Sequence, residues 1–247
     1  MKKTFYSLLF IAVSVLCIHA EAQTAADSVR TNGVITISQT DAIPWMKRYQ
    51  ADIDKYVAEN KTLKDRSCDA LFLGSSSINL WHNIYNDLAP LHLIRRSYGG
   101  ATLRDMLYNY KVIASGYRPK QIVIYVENDL CGCSQEISVG KVYDLFRLFV
   151  QKLQKEYPGI PVYMMAFKPS VARTAELAHQ IAINNLLSDY ARETKNLYFL
   201  DITKGMYDAS GKLDASLFGP DGLHMTQKGY DIWTAQIKPI LMKSAGK

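Results

Sequence analysis

Short apolar runs alternate with amphipathic segments along this chain, and this alternation constrains its fold more than any other feature. No run shows the alternation of apolar and polar residues that marks a strand with one solvent-exposed face. This pattern is typical of a parallel strand that is covered on both faces. The five runs are Ala70–Leu73, Leu91–Ile94, Gln121–Val126, Val162–Phe167 and Leu197–Leu200.

Helical patterns lie between these runs. The clearest has Val142, Leu145, Phe146, Phe149 and Leu153 at three- and four-residue steps. Other helices are expected at about residues 43–63, 172–193 and 227–243. Repeated strand–helix alternation predicts an α/β fold, a doubly wound parallel sheet with helices on both faces. We expect a single domain over residues 43–247, preceded by a mobile lead-in at residues 23–42.

The first 22 residues have the pattern of a secretory signal peptide. Lys2 and Lys3 precede the apolar run Phe5–Ile18, and Ala20-Glu21-Ala22 is a small-x-small cleavage site. A membrane anchor is the alternative, but the run is shorter than the roughly 20 residues that span a bilayer. Leu16, which directly precedes Cys17, disfavours a lipoprotein site. We therefore expect a secreted or periplasmic protein without a transmembrane segment.

Charge and cysteine content exclude several other classes of protein. The formal net charge is +6 at pH 7, but the basic residues are scattered, which gives no support to a nucleic-acid partner. Behind the signal peptide stand Cys68, Cys131 and Cys133. This odd number argues against a disulfide scaffold, and Cys131-Gly132-Cys133 has no second pair of ligands for zinc. We expect no metal and no cofactor.

The strand layout also predicts which cysteines stay apart. Cys68 lies at the start of the first strand, whereas Cys131 and Cys133 follow the third. In a parallel sheet these places lie at opposite edges, about 15–20 Å apart for five or six residues at about 3.3 Å each. A disulfide needs Cα atoms within roughly 7 Å, so we predict that Cys68 pairs with neither.

Polar residues follow the predicted strands where those strands end. In parallel sheets ligands bind beyond the carboxyl ends of the strands, so these segments can converge on one site. The segments are Gly74–Trp81, Arg95–Ala101, Glu127–Asp129 and, near the end of the chain, Phe218–His224.

Together these segments contain the groups that ester hydrolysis requires: a nucleophile, a base, an orienting group and donors to the oxyanion. A serine in the glycine-started turn can be the nucleophile, and His224 can accept its proton. Asp221, three residues earlier, can reach the other imidazole nitrogen. Asn128 offers a side-chain amide donor and Gly100 an unobstructed backbone N–H.

These motifs resemble those of the SGNH hydrolases, also called the GDSL esterase/lipase family. The similarity covers about Trp45 to Trp233 and is greatest to the branch whose first block is Gly-Ser-Ser-Ser-Ile. It extends to the motifs Lys168-Pro169-Ser170, Pro220-Asp221-Gly222-Leu223-His224 and Gly229-Tyr230. The resemblance implies a flavodoxin-like sheet of five parallel strands and a serine esterase.

The resemblance also implies a role for each site residue. Counting from Gly74 to Trp81 against the family's first block selects Ser76 as the nucleophile, with Ser75 and Ser77 as alternatives. His224 would be the base and Asp221 its partner. The oxyanion hole would consist of the backbone N–H groups of Ser76 and Gly100 and the side chain of Asn128.

Three positions depart from the family pattern. Ser75 replaces an aspartate, which is normal for the branch. Arg95-Arg96-Ser97 replaces the Asn-x-Gly that usually precedes the oxyanion glycine, and Val126 replaces a glycine beside Asn128. We expect altered backbone geometry at Gly100 and a narrower pocket near Asn128, with every catalytic group retained.

The sequence favours small acyl esters as substrates, such as O-acetyl groups on carbohydrates. A lipid esterase similar to lysophospholipases or platelet-activating-factor acetylhydrolases is the alternative, but no apolar lid insertion is evident. A non-catalytic α/β binding protein is a third interpretation, which the complete set of catalytic groups disfavours. Trp81, Tyr98 and Tyr125 are either pocket residues or ordinary aromatic core. The oligomeric state stays open.

Overall fold

A five-stranded parallel sheet forms the centre of the structure, a computed structural model that describes residues 47–130 and 137–247. The predicted signal peptide, the lead-in and the Cys131/Cys133 pair lie outside the described residues. The strand order is β3-β2-β5-β6-β7, with every neighbouring pair parallel. Counted along the chain, the five strands have the order 2-1-3-4-5 of flavodoxin. The predicted fold class is confirmed.

The strands that form this sheet lie close to the predicted runs, with one exception. They are β2 (Ala70–Gly74), β3 (Leu93–Ser97), β5 (Ile122–Tyr125), β6 (Val162–Met165) and β7 (Leu197–Leu200). A separate parallel pair consists of β1 (Ser67–Cys68) and β4 (Arg118–Pro119).

The exception is β3, because the predicted strand Leu91–Ile94 is displaced from the observed one. Apolarity ends at Ile94, but the strand continues through two arginines whose side chains find partners off the sheet. Arg95 donates to backbone carbonyls of the segment that follows β2. Arg96 donates to the Tyr117 hydroxyl at 2.8 Å and pairs with Glu59 at 3.1 Å. The predicted bounds were wrong because hydrophobicity does not report such partners.

Helices connect the strands. The α-helices are α1 (Gln50–Thr62), α2 (Ser76–Asn79), α3 (Ile84–Asp87), α4 (Leu103–Tyr108), α5 (Tyr110–Ile113), α6 (Val139–Glu156), α7 (Leu177–Glu193) and α8 (Gln227–Ala245). Short 3-10 turns cover Val171–Glu176 and Ala215–Leu217. The helix expected at residues 172–193 is thus a 3-10 turn followed by α7.

The sheet is buried between two apolar layers, as the continuous apolar strands predict. Leu71 and Leu73 of β2 face a core that includes Phe146 and Phe149 of α6. Ala70 and Phe72 point the other way, into a second core that includes Trp233 of α8. Arg48–Lys247 forms one compact unit. Within the described residues, none of the helices combines the length and the apolar character that crossing a bilayer requires.

Candidate active site

The turn after β2 makes only one of its three serines accessible. Ser75 and Ser77 are each 1% exposed, whereas Ser76, the first residue of α2, is partly exposed. A Cβ at Gly74 would lie 2.5 Å from a side-chain atom of Ile78 and 3.0 Å from the Tyr125 carbonyl. Glycine is therefore required for α2 to start this close to the sheet. The geometry favours Ser76 over its two neighbours as a reactive group.

The short helix α2 is anchored at its end by Arg95. The guanidinium Nη1 donates to the carbonyls of Ile78 and Asn79 at 3.3 Å and of Trp81 at 3.1 Å. These carbonyls belong to the last turn of α2 and to the residues after it, where helical partners run out. One of the arginines that depart from the family pattern therefore supports the turn that carries Ser76.

Asp221 and His224 contact each other directly on one loop. Oδ2 of Asp221 lies 2.6 Å from Nδ1 of His224, and Oδ1 accepts the backbone N–H groups of Leu223 and His224 at 2.9 and 3.0 Å. Gly222, between them, has φ +63°, and a Cβ there would lie 3.2 Å from Val171. Since Nδ1 is engaged with the carboxylate, Nε2 is the imidazole nitrogen left for chemistry.

The same contacts keep Asp221 ionised. Its pKa is lowered to about 2, chiefly by the hydrogen bond from the Leu223 N–H, and the hydrogen bonds from His224 help to outweigh the opposing effect of burial. The charge faces the imidazole, so it favours the tautomer with hydrogen on Nδ1 and stabilises an imidazolium. A carboxylate–histidine pair of this kind can serve a general base.

Asn128 is buried beyond the end of β5, at 3% exposure, and both ends of its amide are engaged. Nδ2 donates to the Ala101 carbonyl at 3.0 Å, and Oδ1 accepts from Nη2 of Arg173 at 3.0 Å. An amide nitrogen carries two hydrogens, so the bond to Ala101 leaves a second one for another acceptor. Val126, expected to narrow a pocket here, is 1% exposed and packs in the core.

Gly100 lies on the exposed loop after β3, in a conformation that favours glycine. Its φ is +71°, and a Cβ built on it would lie 2.8 Å from the Tyr49 hydroxyl. The Tyr98 N–H donates to the Gly74 carbonyl at 3.3 Å, which holds this loop against the turn that carries the serines. The usual Asn-x-Gly is thus not needed to place a glycine beside that turn.

Further contacts join these segments into one cluster at the carboxyl edge of the sheet. The Tyr230 hydroxyl in α8 donates to the Ser77 carbonyl at 2.9 Å. The Ala172 N–H donates to the Gly222 carbonyl at 3.0 Å, and its neighbour Arg173 contacts Asn128. In the described part of the chain, the structure contains no hydrogen bond between the Ser76 hydroxyl and the imidazole of His224. Such bonds are often long before substrate binds.

Trp81, Tyr98 and Tyr125 lie in the core in this structure. All three are at most 1% exposed. Trp81 stacks on Tyr230 with ring centroids 5.1 Å apart and donates its Nε1–H to Asp87. The observed burial agrees with the interpretation of these residues as aromatic core rather than as pocket walls.

Sequence reasoning did not identify a charged cluster beneath Asn128. Glu127 and Lys168 are buried and Arg173 is partly buried, and the carboxylate lies 3.0 Å from the lysine and 2.9 Å from the arginine. Burial opposes the ionisation of Glu127, but the two cations outweigh it and lower the pKa. The available signal was a glutamate directly before Asn128, together with the Lys168-Pro169-Ser170 motif. Within residues 47–130 and 137–247, no three His, Cys, Asp or Glu side chains converge on a common metal position.

One family model matches this chain, and many solved structures have a similar fold. The model of the GDSL-like lipase/acylhydrolase family matches residues 72–232. A proposed platelet activating factor from Streptococcus pneumonia is similar at TM-score 0.69 and 18% identity, over 80% of this chain and 94% of that chain. A GDSL-like lipase from Bacteroides thetaiotaomicron VPI-5482 has TM-score 0.63 and 21% identity, over 78% and 98% of the two chains.

A more distant structure shares the same fold. A carbohydrate esterase family 3 protein from Talaromyces cellulolyticus has TM-score 0.57 and 14% identity, over 72% of this chain and 97% of that chain. At these identities the three structures establish the fold alone. No curated protein matches the chain.

Proposed function

Because the chain belongs to the GDSL-like lipase/acylhydrolase family, and is therefore an ester-hydrolysing enzyme, we propose that it is a serine carboxylester hydrolase with Ser76 as nucleophile and His224 as base. One observation carries the residue assignment. The Asp221–His224 pair, at 2.6 Å, lies on a loop whose neighbouring helix α8 contacts the turn with the single accessible serine.

The proposed reaction uses these groups in two steps. The Ser76 hydroxyl attacks the ester carbonyl carbon while Nε2 of His224 takes its proton. The backbone N–H groups of Ser76 and Gly100 and the Asn128 amide donate to the oxyanion of the tetrahedral intermediate. Return of the proton to the leaving oxygen releases the alcohol, and water then cleaves the acyl-enzyme by the same route. Asp221 stays ionised and stabilises the imidazolium.

For the substrate we propose small acyl esters, with O-acetyl groups on carbohydrates as the first class to test. The absence of an apolar lid insertion in the sequence supports a short acyl group, and the fold similarity to a carbohydrate esterase is consistent with it. A lipid ester is the second candidate, which the fold similarity to the proposed platelet activating factor keeps open. A series of aryl esters of rising acyl length, followed by acetylated sugars and lysophospholipids, separates the two.

We also propose that the enzyme acts outside the cytoplasm. The support is the pattern of Lys2, Lys3, the apolar run and the Ala20-Glu21-Ala22 site. Expression with the native N-terminus in a bacterial host, followed by N-terminal sequencing of the exported protein, tests this. The expected mature chain begins at Gln23, and retention of the full chain in the cytoplasm would contradict it.

The assignment of the nucleophile predicts that Ser76→Ala and His224→Ala each lower kcat by several orders of magnitude, because such groups act as a unit. A serine-directed fluorophosphonate should label Ser76, as peptide mass spectrometry can check. Ser77→Ala, which changes a buried neighbour, is the matched control and should keep the labelling. Near wild-type turnover in Ser76→Ala would refute the assignment. Absence of labelling and of hydrolysis in the wild type would favour a binding protein.

A further inference from the structure

Arg173 connects the Asn128 amide to a buried carboxylate. Its Nη2 lies 3.0 Å from Oδ1 of Asn128, and its Nη1 lies 2.9 Å from Oε1 of Glu127. The Arg173 side chain is 10% exposed. Lys168, which is completely buried, holds the same oxygen of Glu127 at 3.0 Å. The guanidinium is therefore fixed on one side while it donates to Asn128 on the other.

We propose that Arg173 is a positioning residue that fixes the orientation of the Asn128 amide and strengthens it as a donor to the oxyanion. This inference rests on the proposed function. An asparagine amide can rotate by half a turn about its last torsion at little cost, since that torsion is broad and roughly two-fold. The flipped amide would present its oxygen to the oxyanion and repel it.

The two neighbours of Asn128 select the same orientation. A guanidinium can only donate hydrogen bonds, so Arg173 requires Oδ1 on its side. The Ala101 carbonyl, at 3.0 Å, can only accept, so it requires Nδ2 on its side. With both partners present, the second Nδ2–H has one defined direction. A charged donor on Oδ1 also polarises the amide and strengthens its N–H groups, as in other chains of hydrogen bonds.

The placement of Arg173 supports a role beyond packing. Arg173 has φ −122° and ψ 32°, outside helical values, within the 3-10 turn Val171–Glu176. Its neighbour Ala172 donates to the Gly222 carbonyl at 3.0 Å. This turn therefore contacts both the Asn128 amide and the loop of Asp221 and His224. The ion pair between Arg173 and Glu127 is a weak source of net stability, because removing the two charges from water offsets their attraction. Stability alone is therefore a weak reason for an arginine at this position.

A double-mutant cycle tests the inference with an aryl acetate as substrate. Asn128→Ala should lower kcat by about 10²–10³, as expected for loss of one oxyanion donor. Arg173→Met should lower kcat by about ten-fold or more with little change in KM, and Arg173→Lys should recover part of the loss. If Arg173 acts through Asn128, the double variant is no slower than Asn128→Ala alone. Additive losses would overturn the inference.

Lys168→Met is the matched control for simple destabilisation. It removes another cation from Glu127 and leaves both hydrogen bonds of the Asn128 amide in place. We expect a lower Tm, and an effect on kcat that adds to that of Asn128→Ala. If the effects of Lys168→Met and Arg173→Met on kcat are equally non-additive with that of Asn128→Ala, the whole cluster acts only through folding. This result would overturn the specific role of Arg173. If Arg173→Met does not fold, Arg173→Lys enters the cycle instead.

A readout without turnover separates this inference from the proposed function. The side-chain amide signal of Asn128 in a ¹⁵N spectrum, identified by its loss in Asn128→Ala, should shift in Arg173→Lys. In Lys168→Met, the Asn128 amide signal should shift less than in Arg173→Lys. An unchanged signal in Arg173→Lys would overturn the inference even if the enzyme is active. Failure of the wild type to hydrolyse any ester would refute the proposed function and leave the spectrum to decide the role of Arg173.

Discussion

At the scale of single residues, Asp221 uses its two carboxylate oxygens for different tasks. Oδ1 accepts two backbone N–H groups and shapes the loop, whereas Oδ2 contacts the imidazole. Three residues of separation suffice for this geometry, so local sequence predicts it. The contact between Arg173 and Asn128, 45 residues apart, has no such local signal. The contact between Asp221 and His224 was therefore predictable from the sequence, and the contact between Arg173 and Asn128 was not.

Asp221 gives a prediction about acid stability. Its pKa in the folded state is about 2, below the ordinary value of 3.8, so the ionised form favours folding above the ordinary pKa. This contribution is lost as the pH falls from about 4 towards 2. The difference in unfolding free energy between wild type and Asp221→Asn should therefore shrink as the pH falls from about 4 towards 2. Urea titrations at each pH measure it.

The same variant has an expected effect on catalysis. Asp221→Asn should lower kcat less than Ser76→Ala does, since an orienting group is partly replaceable. Ser216→Ala, on the neighbouring exposed turn where Asp214 accepts from Ser216, is a control for changes to surface loops. A stability difference that is the same at pH 2 and pH 7 would contradict the assigned role of the Asp221 charge.

Gly100 allows a comparison of adjacent glycines. Gly100→Ala would place a methyl group 2.8 Å from the Tyr49 hydroxyl at φ +71°, whereas Gly99 has open space around its Cβ position. Gly100→Ala should therefore displace the proposed oxyanion donor and lower kcat, with a loss of stability of about 1 kcal/mol from the backbone conformation. Gly99→Ala should leave both kcat and Tm near the wild-type values. Equal effects of the two substitutions would argue against a role for the Gly100 N–H.

At the scale of elements, the turn from β2 into α2 depends on contacts from the neighbouring strand. Gly74 allows α2 to start close to the sheet, and Arg95 of β3 holds the carbonyls at its other end. A helix of four residues has almost no internal stability, because nucleation is unfavourable. The position of Ser76 is thus set by packing and by Arg95 rather than by helix propensity.

Arg95→Met should therefore make the turn from β2 into α2 less well ordered without creating a cavity in the core. We expect a several-fold lower rate of fluorophosphonate labelling at Ser76 and a small decrease in Tm. Arg118→Met, which removes an exposed pair with Asp65, is the control and should change neither quantity. Unchanged labelling in Arg95→Met would show that α2 holds its geometry without the guanidinium.

The elements themselves show what sequence patterns can predict. β7 lies at Leu197–Leu200, as the apolar run predicts, although it is an edge strand of the sheet and its Tyr198 is exposed. The strand β3 could not be delimited, since Arg95 and Arg96 belong to a strand only by virtue of partners distant in sequence. Hydrophobic periodicity predicts which segments of the chain are buried. Whether a charged residue can be buried depends on the partners that the tertiary structure brings to it.

At the scale of the whole molecule, the order of the strands follows from the alternation of strands and helices, because right-handed crossovers leave few arrangements of a parallel sheet. The register places Leu71 beside Ile122 and Gly74 beside Tyr125. Cys68 therefore lies before the amino ends of these strands, and the described residues 126–130 lie beyond their carboxyl ends. The observed register agrees with the layout on which the cysteine prediction depends.

The last prediction is that Cys68 stays a thiol and pairs with neither Cys131 nor Cys133. Cys68 is 4% exposed, and burial raises the pKa of its thiol to about 12. The thiolate is the reactive form, so Cys68 should resist alkylation at pH 8 in the native protein and react once urea unfolds it. The strand length of about 15–20 Å exceeds the roughly 7 Å between Cα atoms that a disulfide requires. Peptide mapping under non-reducing conditions checks this directly. A cross-linked peptide that contains Cys68 with Cys131 or Cys133 would contradict the parallel register, and with it the convergence of Ser76, Asn128 and His224 at one edge of the sheet.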